Sequence, residues 1–153
     1  MSLNPLNSNL GQLRAKHFAR RCLFHYDNNL INNISSLTAE EAFNYLLEDN
    51  TVSYDEPYDP LPTEAPHGYW LSSDEYPPDI PNQGRKRGLL SAWWMYNMIN
   101  RKNIKDKMIF FLHTTFTIAS GDVGASHYFY DHLRLLDYYS LGNLRDLAKK
   151  ITL

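Results

Sequence analysis

Histidine is the residue type in this chain best suited to chemistry, and one of the six histidines occupies an unusual place. His113 lies inside residues 103–119, the longest strongly apolar run of the sequence. An imidazole there loses its hydration unless its ring nitrogens find partners, and imidazole is both a metal ligand and an acid–base group. We therefore take His113 as the candidate metal ligand. A hydrogen-bonded core histidine is the alternative and the more common role of such a residue.

The remaining chemical groups do not have the spacing of a known site. The sequence contains no phosphate loop, dinucleotide fingerprint, nucleophile elbow or His-Glu-x-x-His motif, and no Cys/His cluster has zinc spacing. His127 and Asp131, four residues apart, share a helix face, and we expect them to form a surface ion pair. Catalytic residues therefore stay unassigned, and the sequence requires no cofactor.

Charge is distributed unevenly along the 153 residues, although the net charge is only −2. Residues 1–49 carry a net −1, residues 50–83 carry −7, and residues 84–153 carry +6. This pattern predicts that the acidic segment lies across the basic helical part. The basic cluster at 85–87 stands between two glycines. It predicts an exposed flexible turn and no nucleic-acid site.

Helical periodicity and capping residues predict an all-α fold of about six helices around a buried central helix. Thr38 and Glu41 have the spacing of a capping box, and Asn103 and Asn143 are suited to cap the helices that follow them. The predicted helices cover 11–23, 38–48, 89–100, 104–119, 125–141 and 143–153, with an Asn-rich loop at 27–33. We expect residues 1–153 to form one helical domain, the N-terminal part of a larger domain.

A Pro-rich strap interrupts the helices at residues 51–83. Seven of the eight prolines lie there, which excludes a helix and disfavours a regular central strand. Tyrosines and Trp70 alternate with the prolines. We therefore expect an extended segment whose aromatic side chains pack on the helices.

The ends of the chain and its single cysteine lead to predictions about localisation, disulfides and partners. The first residues have neither the basic nor the apolar part of a secretory signal, and no transmembrane segment is present, so we expect a cytoplasmic protein. The single cysteine, Cys22, allows no internal disulfide. The final helix stops without a solvated tail. We therefore expect a fragment whose last helix meets a partner, either the missing C-terminal part of the same protein or another protein.

Four blocks of the sequence, taken together, resemble one protein family. The blocks are 16–24 (KHFARRCLF), 37–42 (LTAEEA), 104–116 (IKDKMIFFLHTTF) and 141–147 (LGNLRDL). In order and spacing they are similar to the N-terminal third of the bacterial family known as domain of unknown function 1800. The resemblance implies a large, mostly helical protein, exported in many members, with no established activity.

Two positions depart from the pattern of that family. Members often carry a second histidine two residues after the one that matches His113, and this chain has Thr115 there. Members also tend to have glycine where this chain has His25. If the histidine pair of the family is a metal site, this chain lacks half of it.

The sequence therefore predicts an uncharacterised bacterial protein whose helical segment has a structural or interaction role. One alternative is part of a metal-dependent hydrolase, in which His113 is one ligand and the others lie beyond residue 153. Another alternative is an envelope or glycan-binding protein that uses the tyrosines of the strap and Trp70.

Overall fold

A computed structural model describes residues 7–48, 56–60, 68–69, 71, 83–118 and 124–152. In this part of the chain there are seven helices and one short antiparallel strand pair, which confirms the all-α class. The helices are α1 (Gly11–Cys22), α2 (Asn28–Ser35), α3 (Ala39–Leu47), α4 (Gln83–Asn100), α5 (Ile104–Thr115), α6 (Ser126–Tyr139) and α7 (Leu144–Ile151). No helix among these residues is long and apolar enough to cross a membrane.

The contacts divide the chain into two compact units. The first unit comprises residues 1–52 and 98–107, and the second comprises residues 53–97 and 108–153. The prediction of one domain stays a prediction.

In the first unit, α1, α2 and α3 pack around a common apolar core. The face of α1 that packs inward is narrow, because Ala15 and Ala19 are fully buried one turn apart. Two of the predicted helices are confirmed here with ends shifted by one residue, namely those at 11–23 and 38–48. The capping box is also confirmed, since Glu41 accepts from the backbone N–H of Thr38 at 2.9 Å and donates its own N–H to the Thr38 hydroxyl at 3.3 Å.

The Asn-rich stretch was predicted as a loop, and that prediction is wrong because most of it forms α2. Leu30, Ile31 and Ile34 are buried on one face of this helix. The Asp27 carboxylate caps its start by accepting the N–H of Leu30 at 2.8 Å. Burial of three aliphatic side chains outweighs the weak helix propensity of asparagine.

A tight corner in the first unit joins the end of α4 to the start of α5. Lys102 has a positive φ of 48° there, a conformation that is unfavourable for a residue with a side chain. Its ammonium group pairs with Asp27, which ties the corner to the cap of α2. Asn103 caps α5 as predicted, since its side-chain oxygen accepts the N–H of Lys105 at 2.8 Å.

In the second unit, α4 begins six residues before the predicted start at 89. The flexible basic turn predicted at 85–87 is therefore wrong, because these residues form the first turns of α4. Lys86 is only 3% exposed. Arg85 donates to the buried carboxylate of Asp59 at 2.6 Å, a contact between the acidic and basic segments of the kind that the charge pattern predicted.

The prediction of a central helix buried on all sides is wrong for α5. Ile109 and Leu112 are buried, whereas Phe110 is partly exposed and Phe111 is 58% exposed. Neighbouring residues on a helix point about 100° apart, so a helix packed on one side leaves part of an apolar run in solvent. The helix ends at Thr115, before the predicted end at 119, a residue outside the described part.

Most of the predicted strap lies outside the described residues. In the described part, Tyr58–Asp59 pairs with Gly68–Tyr69 in an antiparallel ladder of two residues per strand. The last two helices of the second unit, α6 and α7, lie close to their predicted ranges. Asn143 caps α7 as predicted by accepting the N–H of Arg145 at 2.9 Å.

We predict that Asp27→Ala lowers the melting temperature more than Asp27→Asn does. Asparagine also caps helices well, so Asp27→Asn loses only the ion pair to Lys102. The hydrogen bond from Lys102, followed by the one from the Leu30 N–H, lowers the pKa of Asp27. The ionised Asp27 carboxylate therefore contributes fully to stability at any pH above the ordinary carboxyl pKa. This contribution is lost as the pH falls through the lowered pKa of Asp27.

Thermal unfolding followed by circular dichroism at neutral and acid pH measures both effects. Asn29→Ala, at an exposed position of the same helix, is the matched control. Equal losses for Asp27→Asn and Asp27→Ala at neutral pH would show that the carboxylate does not act as a cap.

Candidate metal centre

Two imidazoles from different helices face each other in the second unit. His113 lies in the last turn of α5, and His132 lies in the middle of α6. Their ring centroids are 5.6 Å apart and the rings meet edge to face. His132 is only 6% exposed, whereas His113 is half-buried. The pair therefore has one enclosed ring and one ring that partly reaches solvent.

The spacing of buried residues on α6 explains why His132 points inward. Phe129, Leu133 and Leu136 are buried on the same helix. Together with His132 they recur three and four residues apart, which is the spacing of one helix face. His132 thus occupies a position in the apolar stripe of α6 that an aliphatic residue would ordinarily fill.

Aromatic rings pack around His113, the half-buried member of the pair. Trp94 of α4 meets His113 edge-on at a centroid distance of 5.1 Å. Phe129 lies 5.6 Å from His113 and 6.3 Å from Trp94. Helices α4, α5 and α6 therefore contribute side chains to one apolar enclosure. Trp94 and Phe129 both contact His113 and also contact each other.

Burial in this enclosure favours the uncharged form of both imidazoles. Burial, with a smaller contribution from the nearby His113, lowers the pKa of His132 to about 4. Burial also lowers the pKa of His113. A neutral imidazole has one N–H and one nitrogen with a free lone pair. Each ring is consequently in the protonation state that a metal ion requires.

Three buried nitrogen atoms of the enclosure have no hydrogen-bond partner among the described residues. They are His113 Nδ1, His132 Nε2 and Trp94 Nε1. A buried polar atom without a partner costs about 1–3 kcal/mol, so unpaired atoms in one place suggest a missing ligand. The alternative drawn from the sequence was a hydrogen-bonded core histidine, and Nδ1 of His113 makes no hydrogen bond to a described residue.

The distance between the rings fits a shared metal ion. A metal–nitrogen bond of about 2.0–2.1 Å places an imidazole centroid roughly 3.2 Å from the ion, so two rings on one ion have centroids about 5–6.4 Å apart. The observed separation of 5.6 Å lies within that range. No group of three or more His, Cys, Asp or Glu side chains suitable for a metal occurs in the described residues. The described site therefore offers two ligands.

The partner of His113 is not at the position that the family resemblance indicated. Thr115 is exposed, and its hydroxyl donates to the carbonyl of Phe111 at 2.9 Å. Residues two apart on a helix point roughly 200° apart, so positions 113 and 115 cannot both face His132. The sequence analysis missed His132, whose signal was its place in the apolar stripe of α6.

The ion pair predicted between His127 and Asp131 is not observed between these two described residues. His127 instead packs against Tyr128 at a centroid distance of 4.1 Å. His17 and His25 belong to the first unit, and His67 lies outside the described residues. Of the six histidines, the structure thus brings together His113 and His132.

The chain is similar to a known protein family. A family model described as "Protein of unknown function (DUF1800)" matches residues 17–153. No curated protein and no solved structure matches the chain. The matched range includes every residue of the histidine pair and its aromatic enclosure.

We predict that Trp94→Ala destabilises the protein by about 3–5 kcal/mol, as large-to-small substitutions of buried aromatic residues do. Trp94→Phe should cost far less, because a ring remains against His113 and the indole N–H has no partner among the described residues. Urea unfolding of both variants measures the difference. If Trp94→Phe lowered the free energy of unfolding as much as Trp94→Ala, the indole N–H would have a stabilising role, contrary to our prediction.

Proposed function

Because this chain belongs to the DUF1800 family of proteins of unknown function over residues 17–153, we propose a function from its own geometry, namely that His113 and His132 bind one transition-metal ion. The observation that supports this proposal is a pair of buried ring nitrogens without a hydrogen-bond partner among the described residues, His113 Nδ1 and His132 Nε2, in rings whose centroids are 5.6 Å apart. Imidazole ligands suit zinc, copper, iron and nickel.

Two protein ligands leave coordination positions open on such an ion. An open position can take water or a ligand from solution, which a metal ion polarises. The half-buried ring of His113 marks the side from which an ion and its external ligand would enter. A complete metal-dependent hydrolase needs further ligands and a base, so our proposal is limited to metal binding. The glycan-binding alternative depends on the tyrosines of the strap and on Trp70, and Trp70 lies outside the described residues.

We expect the purified chain to bind one Co²⁺ or Zn²⁺ ion and to melt at a higher temperature with the metal than without it. Binding to the folded state alone stabilises a protein by about 2.7 kcal/mol when the metal concentration is 100 times its dissociation constant. His113→Ala and His132→Ala should each remove the binding and the thermal shift.

Isothermal titration calorimetry and thermal scans of the same variants measure the two quantities. His127→Ala is the matched control, because His127 lies on α6 but contacts Tyr128 rather than the pair. Retention of one tightly bound ion in both pair variants, with circular dichroism showing them folded, would overturn the proposal.

A second function, in protein interaction, is favoured by the corner between α6 and α7. Tyr138 is 80% exposed there, and Leu141 and Leu144 are also exposed. Arg145, which directly follows Leu144, and Lys150 on the same helix α7 are also exposed. Apolar anchors flanked by cations fit an amphipathic partner helix with acidic residues at its edges.

A photo-crosslinking amino acid at position 141 tests this interaction in cells that produce the protein. We expect crosslinks to a helical segment with acidic flanks, and we expect them to decrease when Leu144→Ser is added. The same crosslinker at Asn29, an exposed position of α2, is the control. If positions 141 and 29 crosslinked to the same proteins, a specific partner at this corner would be excluded.

A further inference from the structure

A groove on the outer face of α1 has the chemistry of an anion-binding site. Its volume is about 510 Å³, within the usual range for small-molecule sites. The lining residues, all in the first unit, are Leu13, Arg14, Lys16, His17, Arg20 and Tyr26. The groove shares no residue with the histidine pair, so its function does not depend on the proposed metal site.

Three cations line this groove without an observed partner. Arg14, Lys16 and Arg20 are exposed and make no ion pair or hydrogen bond with another described residue. Two cations elsewhere in the first unit behave differently, since Lys102 pairs with Asp27 and Arg101 lies 3.7 Å from Asp106. The positive charge of the groove is therefore not neutralised by the described part of the protein.

The helix geometry concentrates this charge. Leu13, Lys16, His17 and Arg20 have the spacing of one helix face, opposite the buried Ala15. Like charges four residues apart, as at 16 and 20, repel each other and destabilise a helix. A bound anion would remove that repulsion.

Apolar groups next to the cations define the rest of the ligand. Leu13 is 84% exposed, and the ring of Tyr26 is half-buried. Arginine binds phosphate oxygens through paired N–H groups, and lysine binds them as a point charge. We propose that the groove binds a phosphate monoester that carries an apolar or aromatic group, with the phosphate on Lys16 and Arg20 and the apolar part against Leu13 and Tyr26.

Calorimetric titration of the whole chain with phenyl phosphate tests this proposal. We expect phenyl phosphate to bind at least tenfold more tightly than inorganic phosphate, and its affinity to fall as salt is raised. Lys16→Gln and Arg20→Gln should each weaken binding about tenfold, while Arg134→Gln, which removes an exposed cation on α6, should not change it. Circular dichroism checks that each variant is folded.

Vesicles that contain phosphatidic acid distinguish the source of the phosphate monoester. Binding of phenyl phosphate in solution assigns a soluble ligand. Flotation with the vesicles, lost in Arg20→Gln, assigns a lipid headgroup, and either result supports the proposed chemistry. The proposal is overturned if neither probe binds, if inorganic phosphate binds as tightly as phenyl phosphate, or if Arg134→Gln weakens binding as much as Arg20→Gln.

Discussion

Two uncharged imidazoles in an apolar enclosure impose the main constraint on the second unit. Their rings lie in contact, and burial makes it costly for either one to take up a second proton and become positively charged. Trp94, His113 and Phe129 come from three different helices and meet at centroid distances of 5.1 to 6.3 Å. The positions of α4, α5 and α6 in this unit are therefore fixed by the same cluster that contains the candidate ligands.

The second feature of this unit is that α4 buries polar side chains and exposes apolar ones. Lys86 and Asn97 are buried, while Met95 and Tyr96 are exposed. The Asn97 side chain donates to the carbonyl of Trp93 at 2.9 Å, so its amide is not left unsatisfied. Burial lowers the pKa of Lys86. A helix of this kind has no clear apolar face, which is why its periodicity did not reveal its true start.

Local signals in the sequence were sufficient for most of the fold. The caps at Thr38, Asn103 and Asn143 were predicted correctly because each depends on residues within one turn of the helix start. The prediction failed at α2 and at the first turns of α4, where tertiary contacts decide the conformation. Burial of aliphatic residues stabilises α2, and the Arg85–Asp59 pair joins α4 to a residue 26 positions earlier.

In the candidate site, too, the sequence pattern identified the residue with a local signal and did not identify its long-range partner. His113 could be identified from the sequence because an imidazole stands out in an apolar run. Its partner could not, because His132 lies 19 positions later and the two meet only through the packing of α5 and α6. The position that the family resemblance suggested, Thr115, is two residues away along the chain but points to another side of the helix. Proximity in sequence was therefore a poor guide to proximity in the site.

The most direct test of the account is ¹⁵N NMR of the histidine side chains during titration with Zn²⁺. We predict that the resonances of His113 Nδ1 and His132 Nε2 move together into the range of metal-bound imidazole and reach their limit at one equivalent. The side-chain resonances of His127 should stay where they were. Zinc-induced shifts confined to His127 or to the histidines of the first unit would contradict a metal site between α5 and α6.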